Sequence, residues 1–142
     1  MNPVVRSILG VVAGIVASFI IVACVEAVNL VVFPLPKGIN MFDREALKAA
    51  MAAMPVTAKV VVLAGWALGA FVGTFLAAKI SKNAALGIVV GALLLTAAVL
   101  NMLSMPHPAW FWAAAIVIYL VTTALGSRLG AGSQTPATPA AA

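Results

Sequence analysis

The stretch SILGVVAGIVASFIIVACVEAVNLVVF, Ser7 to Phe33, carries a single charged side chain, Glu26. Coiled as an α-helix at 1.5 Å per residue, it spans about 40 Å, enough to cross a hydrocarbon core of about 30 Å. Its small and polar positions repeat every four residues, Gly10, Gly14, Ser18 and then Glu26 after Val22, which stacks them on one helical face. Three more apolar segments follow, at about 57–79, 83–105 and 109–128. Hydrophobic residues make up 65% of the chain and charged residues 8%, against roughly 25% charged in soluble domains. This is the pattern of an all-α, polytopic membrane protein with four transmembrane helices.

The four segments fill most of the 142 residues, so residues 1–130 are expected to form one four-helix transmembrane domain without a separate soluble domain. The last stretch, AGSQTPATPAAA (131–142), is small and uncharged and is expected to be a disordered tail. Pro34 and Pro36 stop the first segment. In the long connection after it, Asp43 suits a helix N-cap, with Phe42 and Leu47 placed to form a hydrophobic staple. Leu47, Met51 and Met54 then recur at helical spacing, predicting a short amphipathic loop helix at about 43–54, lying on the membrane surface or over the mouth of the bundle. A tight turn holding Lys79 and Lys82 joins segments two and three. Pro106 and Pro108 hold His107 extended before segment four, and Trp110, Phe111 and Trp112 read as an aromatic belt.

Small residues mark the packing faces: Gly10, Gly14 and Ser18, then Gly65, Gly69 and Gly73 followed by Ala77, then Gly87 and Gly91, and lastly Thr122, Gly126 and Gly130. Lipid tails are as apolar as leucine, so membrane helices associate by close backbone approach at such positions. The strongest run, on segment two, meets a helix of the same chain or of a second protomer. Gly10-Val-Val-Ala-Gly14 and Gly87-Ile-Val-Val-Gly91 look alike, as a two-plus-two duplication would leave them.

Glu26 is the chemical question. Its face is the small-residue face, so it is expected to point into the bundle, about 9 Å from the segment midpoint toward the long connection. Asn29 shares that side, and Trp66, Asn101 and Ser104 fall at similar depth. These residues are expected to form a small polar, ligand- or proton-linked pocket under the amphipathic helix, with His107 at its rim. Holding a charge at the centre of a spanning helix costs about 2.5–3.5 kcal/mol. Protonating a carboxyl of ordinary pKa at pH 7 costs about 3.7 kcal/mol. The two are close, so a few hydrogen bonds decide which form a membrane glutamate takes, and Asn29, Asn101, the Trp66 indole and His107 are the candidate donors. The plainer alternative is a protonated glutamate acting as interhelical glue.

Enzyme classes find little support. One His, one Cys and three acids supply no metal-ligand spacing, and no catalytic residue, metal or cofactor is expected. The basic residues stand singly at segment ends, so the net charge of +5 points to membrane lipids as partners and not to nucleic acid. Cys24 reads as a small packing residue. Ile21-Val22-Ala23-Cys24 also resembles a bacterial lipobox, although the apolar run continues to Phe33, beyond a signal h-region of roughly 7–15 residues.

The stretches GWALGAFVGTFLAAKI and NMLSMPHPAWFW resemble a group of small bacterial inner-membrane proteins with four predicted helices and no established activity. The resemblance covers about residues 5–130 and implies a bacterial inner-membrane location but no catalytic residue. Small multidrug-resistance transporters are similar in placing a glutamate in the first of four helices, but their loops are short and they lack the amphipathic segment. Arg6, Lys79, Lys82 and Arg128 fall on one side, and Lys37, Arg44, Lys48 and Lys59 on the other. The first set stands beside short turns without acids, so the termini are expected to be cytoplasmic. The leading expectation is a non-enzymatic accessory or structural subunit, or a binder of lipid or a small amphiphile, within a homodimer or larger membrane complex. One alternative is a proton-coupled transporter of small lipophilic cations working as a dimer through Glu26. A second is a lipoprotein processed at Cys24.

Overall fold

The computed structural model describes residues 2–40 and 42–132. They form five helices: α1 (Pro3–Val32), α2 (Arg44–Ala53), α3 (Val56–Ser81), α4 (Ala84–Ser104) and α5 (Ala109–Ala131). All but α2 are long and apolar enough to cross a membrane, which suggests a multi-pass membrane protein.

Local chemistry sets each boundary. Asn2 caps α1 by accepting the Val4 N–H at 2.9 Å, and Pro3, whose missing N–H costs nothing there, opens the helix. The expected start at Ser7 is one turn late, because Arg6 marks a charge and not a helix end. The Asp43 carboxylate accepts from the Glu45 and Ala46 N–H groups at 3.0 and 3.2 Å and so caps α2. The staple does not form: Phe42 is 98% exposed while Leu47 turns into the molecule. Between α3 and α4 only Lys82, in the left-handed region at φ 55°, and Asn83 reverse the chain; Asn83 caps α4 through the Ala85 N–H at 2.9 Å. Ala131 closes α5, and the expected tail beyond Gly132 lies outside the described residues.

α3 is the central helix and touches α1, α4 and α5. α1 and α4 meet only slightly. The α1–α3 seam is where the glycines act. A Cβ on Gly10 would lie 2.8 Å from the Ala77 carbonyl oxygen, and one on Gly14 would strike the Gly73 carbonyl. Gly65 and Gly69 face Val25 and Val22 in the same way, at 2.7 and 2.9 Å. Ser18 adds a hydrogen bond across the seam to the Gly69 carbonyl at 2.8 Å. The small face of α3 therefore meets a helix of the same chain. Gly87 abuts Thr74 and Ser127, Gly91 abuts Thr123, and Gly126 and Gly130 abut the α3 backbone.

The exterior is aliphatic, with Val12, Phe19, Ile20, Leu93, Leu100 and Leu120 all about half exposed or more. A soluble protein seldom leaves so much contiguous apolar surface uncovered, whereas lipid tails would cover it. Cys24 is exposed too, contrary to its expected packing role, because it lies off the stripe that meets α3. Phe111 does not join the aromatic belt; at 1% exposure it is a core residue, and Trp110 is left at the surface.

Candidate functional site

The end of α1, the starts of α3 and α5 and the end of α4 converge beneath α2, because α1 and α4 run one way across the bundle and α3 and α5 the other. A cavity of about 200 Å³ lies there, and Glu26, Asn29, Trp66, Asn101 and His107 all line it. The rest of its wall is apolar: Leu30, Leu35, Val62, Met105, Leu47 and Met51 of α2, and Met54 at its C-cap. The amphipathic stripe of α2 is thus the roof of the cavity. α2 is held by side chains: the Arg44 guanidinium donates to the Leu103 carbonyl at 3.3 Å, and the Lys59 ammonium donates to the Met54 carbonyl at 2.9 Å.

The polar end is organised by Trp66. Its ring is buried at 4% exposure, packed edge-on against Phe111 at a centroid distance of 5.5 Å and tilted against Tyr119 at 6.1 Å. Clamped this way, its indole N–H donates to Glu26 Oε1 at 3.1 Å. Of the expected donors to Glu26, Trp66 is the one that reaches it. Asn29 is buried at 4% exposure, and its Oδ1 has no hydrogen-bond partner among the described residues. Asn101 lines the cavity from α4 and is exposed. His107 turns its Nδ1 to the Met105 carbonyl at 2.8 Å and stacks on Phe111 at 4.5 Å. Burial holds the His107 imidazole below its ordinary pKa of 6.5. Its bond to the Met105 carbonyl opposes the shift, nearby Lys59 adds to it, and Glu26 opposes it. Ser104 is not part of the site; it is exposed, and its hydroxyl donates back to the Leu100 carbonyl at 2.9 Å.

Glu26, Trp66 and Asn101 also line a second cavity of about 200 Å³, deeper along the bundle. Phe19, Val22 and Ala23 of α1 and Leu94 and Ala97 of α4 form much of its wall, along the slight contact between those helices. The carboxyl of Glu26 therefore stands between a cavity roofed by α2 and one at the α1–α4 fissure.

Lys59, which the sequence sets among the charges of one membrane face, is 8% exposed and ties α3 to the end of α2. The signal was present: Lys59, Val62 and Trp66 follow one another at helical spacing on the inward face. Leu35 carried no such signal, because it belongs to no helix and reaches the cavity only through the path of the connection. Among the described residues no three of His, Cys, Asp or Glu come together as a metal site would require. No family model matches the chain, and no curated protein or solved structure matches it.

Proposed function

We propose that this chain is a non-enzymatic integral membrane protein of the bacterial inner membrane, with cytoplasmic termini, that binds a small amphiphile beneath α2. One observation carries the reading: a single cavity is lined both by the polar side chains of Glu26, Asn29, Trp66, Asn101 and His107 and by the apolar Leu47, Met51 and Met54. Such a wall suits a molecule with a hydrogen-bonding head and a short apolar chain. The cavity's volume of about 200 Å³ lies below the roughly 300–1,000 Å³ of drug-sized pockets, which favours a small ligand. The buried, unpartnered Asn29 Oδ1 supports a head that donates hydrogen bonds, since an orphaned buried acceptor costs about 1–3 kcal/mol until it is met. Glu26 offers a second acceptor, so an amine head is the preferred form. As a subunit of a larger membrane complex, or as a homodimer, the protein would present the ligand through its lid, α2.

The test is a titration of the purified protein in nanodiscs with octylamine, octanol and octanoate, following tryptophan fluorescence in a Trp110→Phe, Trp112→Phe background that leaves Trp66. Octylamine is expected to bind saturably and most tightly, with at least a tenfold loss in Glu26→Gln and in the cavity-filling Met51→Trp read by calorimetry. Absence of saturable binding by all three, or binding indifferent to both substitutions, would overturn the reading.

A second reading, a proton-coupled transporter of small lipophilic cations working as a dimer, is favoured by the two cavities that meet at Glu26. It predicts pH-gradient-driven uptake of tetraphenylphosphonium into proteoliposomes, abolished by Glu26→Gln in a protein that still folds.

A further inference from the structure

The end of the bundle opposite the α2 cavity is basic. Arg6 stands in the first turn of α1, Lys79 and Lys82 at the end of α3, and Arg128 in the last turn of α5, whereas all three acids, Glu26, Asp43 and Glu45, belong to the other end. From the basic end a groove of about 320 Å³ runs inward between α4 and α5. Its mouth lies between Ala84, the first residue of α4, and Arg128. Ala92 and Ala124 keep it open, and Ile88 and Leu120, both more than half exposed, stand beside it. From Ala84 to Leu95 the groove follows α4 for about 16 Å at 1.5 Å per residue. That is about the depth of one leaflet of a 30 Å hydrocarbon core.

We propose that this groove holds one acyl chain of an anionic phospholipid, with the phosphate paired to the Arg128 guanidinium. The length matches a chain entering from the headgroup level, and below a single cation the walls are mostly apolar, with Tyr119 and Thr123 among them. Guanidinium pairs with phosphate through two parallel hydrogen bonds, which makes arginine at the mouth the fitting anchor. Ser127, the neighbour of Arg128, also lines the groove; it is buried, and its Oγ has no hydrogen-bond partner among the described residues. That hydroxyl lies against Gly87 of α4 and is closed to a molecule in the groove, so Arg128 alone anchors the head. A second copy of the chain is a poorer occupant. A two-fold contact between parallel protomers presents the same patch twice, so each Arg128 would face the other's basic end.

The experiment is native mass spectrometry of the delipidated protein offered equal amounts of dioleoylphosphatidylglycerol and dioleoylphosphatidylcholine. The anionic lipid is expected to be retained at least about fivefold over the zwitterionic one, the ratio that about 1 kcal/mol per basic residue implies. Arg128→Gln should remove that preference. Lys79→Gln, at the same end but over the Phe75 ring at 5.1 Å, should leave it in place. Ala124→Leu, which fills the groove without touching a charge, should abolish retention of both lipids; if it fails to fold, the two charge variants decide alone. Equal retention of the two lipids overturns the proposal. So does an equal loss in the Arg128 and Lys79 variants, which means a general basic surface, or a cross-link between two copies through the groove when Ala92→Cys and Ala124→Cys are made in a Cys24→Ala background.

Discussion

Trp66 shows what one side chain does when its neighbours clamp it. Phe111 and Tyr119 fix its ring, and the ring in turn fixes a donor on Glu26. From sequence Trp66 was one of four candidate donors, and nothing in the spacing ranked it above Asn29 or Asn101, because the ranking depends on which rings surround it. His107 is the residue whose titration can be read out. A base whose folded pKa is depressed binds fewer protons folded than unfolded, so its stabilising contribution is complete above about pH 6.5 and is lost as the pH falls from there toward the folded value. The thermal unfolding midpoint in nanodiscs is therefore expected to drop between pH 7.5 and pH 5.5. His107→Gln should show a shallower drop, and an identical profile in the two proteins would remove His107 as its source.

At the scale of elements, the α1–α3 seam is the strongest structural commitment in the chain. A Cβ on Gly73 would meet the Ser18 hydroxyl and lie 2.6 Å from the Gly14 carbonyl oxygen, so the two backbones are already in contact. Gly73→Leu is expected to destabilise the protein by about 1–3 kcal/mol, or to separate α1 altogether, because overpacking here cannot be relieved by rotating a side chain. Gly38→Ala is the comparison: nothing lies near it, so its φ of 84° costs about 1–2 kcal/mol locally and α1 is expected to stay packed on α3, the feature that distinguishes it from Gly73→Leu. Steric-trap or denaturant unfolding in bicelles would separate the two. The four-residue recurrence of glycine made this seam legible in sequence. The Phe42 staple looked equally legible and failed, since the rule describes an isolated helix start while α2 turns its inner face to a cavity.

For the whole molecule, the arrangement of charges predicts an orientation that can be tested directly. In a Cys24→Ala background, Lys37→Cys lies in the connection before α2 and Asn83→Cys in the α3–α4 turn. With cytoplasmic termini, an impermeant maleimide added to intact cells should label position 37 and reach position 83 only after permeabilisation. The reverse pattern would turn the molecule over and place the α2 cavity on the cytoplasmic side.

The amino-acid sequence carries the elements themselves: four long apolar helices, a capped amphipathic one, and the small-residue faces along which backbones could approach. These are local properties, set by periodicity, proline, capping side chains and the length needed to cross a hydrocarbon core. It also placed Glu26, Asn29, Trp66, Asn101 and His107 at one end, because depth along a helix follows from residue count. That α3 is the hub, that Phe111 leaves the belt for the core, that Lys59 is drawn inward and that Glu26 stands between two cavities follow from packing alone. Those outcomes depend on how each helix is rotated against its neighbours. In lipid that rotation is set by the fit of side chains across a seam, a property of two surfaces together that neither segment carries alone.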